Sequence, residues 1–312
     1  MTAPPSGDRP RRVVVALGGN AILRRDQPMT AEHQRANLRA AAPALAAVAR
    51  DRHLILSHGN GPQVGLLALQ ALSTPAASPY PLDVLGAQTE GMIGYVLEQE
   101  LGNVLPAEVP LATILTMVEV DPDDPAFAHP AKFVGPVCTR DQAEAWAAAQ
   151  GWTFRQVGPH WRRVVPSPEP RRIIETRPIR WLADQGTVVI CSGGGGIPTA
   201  RRADGAGLAG VEAVVDKDLT GALLAQQIGA DLFVMATDVD AVYADWGTPR
   251  QHPLGRVSVG DLRGGEFAAG SMGPKVEAAC RFVEATGGRA AIGALEQIED
   301  LVAGTAGTQV AP

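Results

Sequence analysis

The chain has 312 residues, 46% hydrophobic and 19% charged with few aromatics, which suits helices packed on a sheet in one large or two smaller α/β domains. A net charge of -6 without a long Lys/Arg block argues against nucleic acid as the main partner, and no apolar run approaches the ~18 residues that span a bilayer. The opening MTAPPSGDRPRR lacks the apolar core of a signal peptide, and Cys138, Cys191 and Cys280 are odd in number and far apart, so reduced thiols and a cytoplasmic address are expected.

Of 27 basic residues only Lys132, Lys217 and Lys275 are lysine. A chain that uses arginine for nearly every other cation needs a chemical reason for these three. Lysine offers a compact charge on a flexible stem, suited to following a moving phosphoryl group, whereas guanidinium is a broad planar fork.

The Pro- and Arg-rich tail reads as disordered, and RRVVVALGGNAIL then reads as strand, glycine turn and helix start. Neither GxGxxG nor GxxxxGK[ST] occurs, so any nucleotide is held by another kind of loop. A helix capped by Thr30 runs to Arg50, and HLILSHGNGPQVGLLALQAL repeats strand, glycine turn and helix, with Pro62 at the helix start. His58 at that strand end reads as a structural hydrogen-bonding residue. The stretch from Leu85 to Leu101 has helical periodicity and small residues (Gly86, Ala87, Gly91, Gly94) that suit a core helix or a dimer seam.

Residues 119–180 change texture, dense in proline and charge around a short helix from Arg140 to Gln150. They read as an inserted subdomain of hairpins and loops acting as a lid, with Lys132 in a loop stiffened by Pro130 and Pro136. In residues 186–240 a buried strand, TVVIC, leads to Gly193–Gly196, whose amides are unobstructed by side chains and suit an anion. Asp216, Lys217 and Asp218 open an apolar helix, where a phosphate would be welcome. TDVDAVY follows the next strand; its Asp238 and Asp240 fit turn capping and ligand contacts better than direct metal ligation. AGSMGPK then opens a helix, and GGRAAIG is a further strand. Ligands of open α/β sheets bind beyond the strands' carboxyl ends, where all these turns fall.

In order and spacing, ALGGNA (Ala16 to Ala21), SHGNGPQVG (Ser57 to Gly65), EGMIGY (Glu90 to Tyr95), RRVVPSP (Arg162 to Pro168), GGGGIP (Gly193 to Pro198), VDKDL (Val215 to Leu219), TDVDAVY (Thr237 to Tyr243) and GSMGPK (Gly270 to Lys275) resemble the carbamate kinases, within the amino acid kinase fold family. The resemblance implies a three-layer αβα sandwich with a mainly parallel central sheet, one domain over 1–312 with the protruding subdomain inserted at 119–180, and a homodimer. It implies reversible phosphoryl transfer, ADP plus carbamoyl phosphate to ATP plus carbamate, with Mg2+, as in arginine fermentation. Lys217 and Lys275 would neutralise phosphate oxygens, Asp218 would orient them, and Lys132 would reach in from the lid, replacing the lysine that many amino acid kinases carry before the first glycine pair. Gly18, Gly19 and Asn20 with Gly59, Asn60 and Gly61 would hold the transferred phosphoryl and the carbamate. Gly195, Asp238, Tyr243, Met272 and Gly273 would line the nucleotide side; no direct metal ligand is assigned. HPAKFVGP and the stretch from Asp141 to His160 depart from the family pattern, both in the lid. A related kinase acting on another carboxylate, or a non-catalytic nucleotide sensor on this fold, are the alternatives.

Overall fold

The computed structural model describes residues 12–24, 27–72, 80–268, 270 and 272–312, with Asn20 and Leu72 described as backbone only. The tail read as disordered lies outside the described residues. Strands such as RVVVAL and LFVMAT are buried along almost their whole length, which requires cover on both faces of the sheet.

In chain order the first half contains β1 (Arg12–Leu17), α1 (Gly19–Ile22), α2 (Ala31–Asp51), β2 (His53–His58), α3 (Gly61–Leu72), α4 (Leu82–Gly102), β3 (Leu111–Ile114) and β4 (Met117–Val120). The inserted region follows with β5 (Lys132–Cys138), α5 (Arg140–Gln150), β6 (Thr153–Val157), β7 (His160–Val165) and β8 (Pro170–Ile173). Next come α6 (Thr176–Asp184), β9 (Val188–Cys191), β10 (Ile197–Arg201), β11 (Leu208–Gly210), α7 (Lys217–Ile228) and β12 (Leu232–Thr237). The chain closes with β13 (Tyr243–Ala244), β14 (His252–Pro253), β15 (Arg256–Ser258), α8 (Val259–Arg263), α9 (Met272–Thr286), β16 (Arg289–Ala294), α10 (Ile298–Ala303) and β17 (Thr308–Ala311).

Eight strands form the central sheet in the order β15-β17-β16-β12-β1-β2-β9-β3. They are parallel except that β17 runs against β16 and β15 runs with β17. Alternation along β1 sends Val14 and Ala16 to a core shared with α6, α7, α8 and α9, and Val13, Val15 and Leu17 to one shared with α2, α4 and α10. The result is the expected three-layer α/β sandwich.

A second sheet, β11-β10-β4-β8, leans on the body, and a third, the antiparallel β5-β7-β6, stands out from it. The inserted unit is therefore tighter than 119–180. β4 pairs with β10, beyond the insertion, and α6 belongs to the body, with Ile179 and Ala183 fully buried in the main core. Pro178 made that segment look like loop, but it sits in the first turn of α6, where a missing amide is tolerated.

Lys132 is likewise not in a loop. It is the first residue of β5, paired with Val165, and Pro136 falls at an irregularity of this edge strand beside Gly135 at φ +70°. The unit is seated on the body through α3: a Cβ placed on Gly65 would lie 1.8 Å from the Cα of Gly135, so two backbones touch where no side chain fits. Val64, Ala68, Leu82, Leu85, Val134, Val165 and Val214 fill the seam around that contact.

Candidate active site

The four central strands β1, β2, β9 and β12 all end at one edge, and each runs into one of the turns singled out in the sequence. The turns are tied to one another by backbone bonds. The Gly18 amide donates to Ala236 O (2.8 Å) and the Gly59 amide to Leu17 O (3.1 Å). A Cβ on Gly59 would lie 3.5 Å from both Gly19 Cα and Lys217 Cδ, so the first two glycine turns and the start of α7 form one small surface.

All three lysines of the chain reach this surface, each from a different element. Lys217 Nζ, at the first residue of α7, donates to Asp218 Oδ1 (2.6 Å), and Lys275 Nζ, one turn into α9, donates to Asp218 Oδ2 (2.8 Å). Lys132 Nζ comes from β5 and donates to Asp216 Oδ2 (2.7 Å). Asp216 serves two elements at once, since its Oδ1 caps α7 by accepting from the amides of Asp218 (2.9 Å) and Leu219 (3.3 Å).

Three ammonium groups thus face two carboxylates at the positive end of a helix, an arrangement that leaves one charge for an incoming anion. Burial opposes the ionisation of Asp218, but its two lysines outweigh burial and hold the carboxyl well below the ordinary carboxylate range. Burial pushes Lys217 below the usual lysine value despite Asp218, with Lys275 adding to the depression. Burial also works against Lys275, yet the attraction of Asp218 prevails and raises it. In Asp216 burial is again outweighed, here by Lys132, and the carboxyl stays ionised.

The expectation that Gly193–Gly196 present free amides is corrected at three of the four positions, the Gly193 amide being turned to the Glu90 carboxyl. Gly195 donates to Ser192 O (3.2 Å) and Gly196 to Gly193 O (3.0 Å), while Gly195 O accepts from Thr220 Oγ1 (3.0 Å). The glycines are required by close packing. A Cβ on Gly193 would lie 2.4 Å from the His58 ring, one on Gly194 2.0 Å from Asn60 Nδ2, and one on Gly195 2.4 Å from Val215 O. Gly195 is therefore a buried packing residue at the back of the site.

His58 is structural, as its position suggested: Nδ1 lies 3.1 Å from Gly59 O, and burial lowers its pKa to about 4, so the ring is neutral. Asn60 faces inward, its Nδ2 donating to Thr89 Oγ1 (2.8 Å), and Gly61 opens α3 with free space above it. Asn20 contributes backbone to the first turn of α1. On the remaining side, Tyr243 donates to Asp240 (3.0 and 3.2 Å) and meets Trp246 edge-on at 5.4 Å, while Asp238 accepts from Thr237 Oγ1 (3.1 Å). Met272 and Gly273 begin the helix that carries Lys275. Sequence reasoning missed the second role of Asp216, as partner of Lys132, and gave no role to Thr89, Glu90 or Thr116.

Among the described residues no group of three His, Cys, Asp or Glu side chains is placed to hold a metal ion. Asp216 and Asp218 are each committed to lysines, so the residues present do not form a cation cage.

Fold and site together define a phosphate-handling α/β enzyme, and comparison with known proteins agrees. The model of the amino acid kinase family matches residues 11–293, and the chain belongs to that family. Within it, the chain is 60% identical over 298 residues to a carbamate kinase of Rhizobium meliloti (strain 1021), covering 95% of this chain and 92% of the relative. It is 52% identical to a carbamate kinase of Escherichia coli (strain K12), covering 96% and 98%. Among solved structures, carbamate kinase from Giardia lamblia bound to AMP-PNP is 38% identical, with a TM-score of 0.87 over 96% of this chain and 98% of that one.

Proposed function

We propose that this chain is a phosphotransferase acting as a carbamate kinase, moving a phosphoryl group reversibly between carbamoyl phosphate and ADP to give ATP and carbamate. The observation that carries this reading is the meeting of all three lysines over Asp216 and Asp218 at the C-terminal edge of the parallel sheet. Phosphoryl transfer spreads negative charge over the moving group's oxygens, and its catalysis is largely in-line positioning and electrostatic stabilisation. Lys217 and Lys275 are oriented by opposite oxygens of one buried carboxylate, so their charges are fixed in direction before substrate arrives. Lys132 adds the third charge from the lid. Gly18, Gly19 and Asn20 with Gly59 and Gly61 border the acyl-phosphate side, with Asn60 buttressing its turn from inside. Asp238, Tyr243, Met272 and Gly273 border the nucleotide side.

Magnesium would accompany the nucleotide in this reading and neutralise phosphate charge; among the described residues no carboxylate group forms a cage for it. Residues 132–165 act as a lid that brings Lys132 to the site and withdraws it. The working form is a homodimer joined along β3, an edge strand of the central sheet flanked by exposed Met92, Tyr95 and Leu115. As part of the same proposal, the enzyme is cytoplasmic and serves arginine fermentation; among the described residues no helix is long and apolar enough to cross a membrane.

The test is ATP formation from ADP and carbamoyl phosphate with magnesium, with N-acetylglutamyl phosphate as an alternative donor. Turnover with carbamoyl phosphate alone is expected, falling by roughly 10²-fold or more in Lys217→Ala and in Lys132→Ala as a transition-state charge is lost. Lys132→Arg is expected to restore little, since a guanidinium fork does not replace a compact ammonium. Preference for the larger donor would favour a related amino acid kinase, and ADP binding without turnover a sensor.

A further inference from the structure

Behind the glycine turns lies a buried polar cluster that the lysine chemistry does not use. Thr89 and Glu90 are consecutive residues in the middle of α4, 0% and 2% exposed. Thr89 Oγ1 accepts from Asn60 Nδ2 (2.8 Å) in the turn after β2 and donates to Gly86 O (2.8 Å) within its own helix. Glu90 Oε2 accepts from the Thr116 amide (2.8 Å), and Thr116 Oγ1 in turn accepts from the amide of Ser192, the residue that leads into the four-glycine turn. Gly193 is wedged between the two: a Cβ there would lie 2.4 Å from the His58 ring and 3.0 Å from Glu90 Cγ. The two turns therefore touch one another through Gly193 with His58 and Gly194 with Asn60, and both are fastened to one pair of neighbours on α4.

Resting on the phosphoryl-transfer reading above, we propose that Thr89 and Glu90 are positioning residues for the acyl-phosphate half of the site, holding the turn after β2 and the turn after β9 in fixed register. Neither side chain needs to touch substrate for this. The nucleotide side is built from β12 and α9, on different strands, so a fault in the α4 brace should be felt by carbamoyl phosphate far more than by ADP.

Burial of Glu90 favours its neutral acid form. Burial raises its pKa well above the ordinary range, while the Thr116 and Gly193 amides pull it back and the nearby Glu175 carboxylate pushes it further. Cys191 at the end of β9 also faces it, and its thiol is raised by burial and by Glu90. His58 beyond Gly193 is neutral, so it adds no positive charge that would compete with the lysines for phosphate. Glu90→Gln retains an amide oxygen that can accept from the Thr116 amide, so the brace tolerates an amide in place of the acid.

The experiment compares Glu90→Gln, Glu90→Ala, Thr89→Ser and Thr89→Val in the full chain, by steady-state kinetics in both substrates and by equilibrium binding of ADP. The Ala and Val variants are expected to raise KM for carbamoyl phosphate or lower kcat by about tenfold or more, with KM and Kd for ADP within about twofold, as for misplaced positioning groups. Gln and Ser keep the bonds and are expected to recover to within about threefold of the wild type. The proposal is overturned if Glu90→Gln is as defective as Glu90→Ala, if ADP and carbamoyl phosphate parameters worsen together, or if the Ala and Val variants behave as wild type. Should Glu90→Ala not fold, the Thr89 pair decides by the same criteria. Wild-type protein that binds ADP yet turns over no carbamoyl phosphate would remove the phosphoryl-transfer reading itself, and this inference with it.

Discussion

Asp216 and His58 illustrate how single side chains combine duties at this site. Asp216 divides its oxygens between the amides that start α7 and the ammonium that arrives on β5, so helix capping and the anchoring of the inserted unit share one carboxylate. The capping half was legible in the sequence, because Asp at a helix start is a local signal; the Lys132 half was not, because Lys132 lies 84 positions away. The lysines themselves were legible through scarcity, since arginine had taken almost every other basic position. His58 was correctly read as structural, and its burial has a measurable cost in acid. Its pKa is about 4 in the folded chain against an ordinary 6.5, so the unfolded chain binds more protons in that window and stability falls as pH drops through it. The contribution is complete above pH 6.5 and amounts to about 3 kcal/mol when lost. Urea unfolding at pH 7 and pH 4.5 is therefore expected to show a smaller loss for His58→Gln than for wild type; equal losses would refute the assignment. The three cysteines are buried, and burial raises each thiol. A thiol reagent such as dithionitrobenzoate is expected to find none of them accessible in the native protein and all three in denaturant, with early reaction of the native chain counting against the fold.

At the scale of elements, the seat of the inserted unit rests on a glycine from each side. Gly65→Ala would place a Cβ 1.8 Å from Gly135 Cα, backbone that cannot swing away as a side chain would. The lid should then lift from α3 and carry Lys132 off Asp216. Turnover is expected to fall by about tenfold or more while ADP binding holds, measured by initial rates and equilibrium titration; unchanged turnover would mean that the seat does not set the position of Lys132. An inserted unit was visible as a change in proline and charge density, but the pairing that bounds the β5-β7-β6 sheet was not. Pro178 belongs to a body helix and Lys132 to a strand, and both facts depend on pairing partners remote in sequence. The four-glycine turn was legible as a special backbone feature, but the amides of Gly193, Gly195 and Gly196 are taken up within the protein. A glycine run looks the same whether its amides are offered to a ligand or its missing side chains make room for His58, Asn60 and Val215, and only packing tells these apart.

For the whole molecule, the order of strands puts the site in the middle of the sheet and leaves β3 at one margin. Beside that strand Tyr95 is 58% and Leu115 51% exposed, large apolar side chains on an unpaired edge. Sedimentation is expected to show a dimer for the wild type and a monomer for Leu115→Glu, and a wild-type monomer would sink the proposed assembly along β3. The fold class was legible from alternation of strand and helix signals, because buried parallel strands are continuous apolar runs in any context. Which helix covers which face was not, nor was the tie between α4 and the glycine turns.

The gathering of the lysines also shapes how the protein will respond to chemists. Apart from the α-amino terminus, every primary amine in the chain sits at the site, and only Lys132 has a side chain appreciably open to solvent, at 27% against 14% and 13% for Lys217 and Lys275. An acylating dye or a resin activated for amine coupling therefore has almost no neutral ground on which to land. Labelling strategies that are harmless for most proteins become, for this one, a means of marking or blocking Lys132.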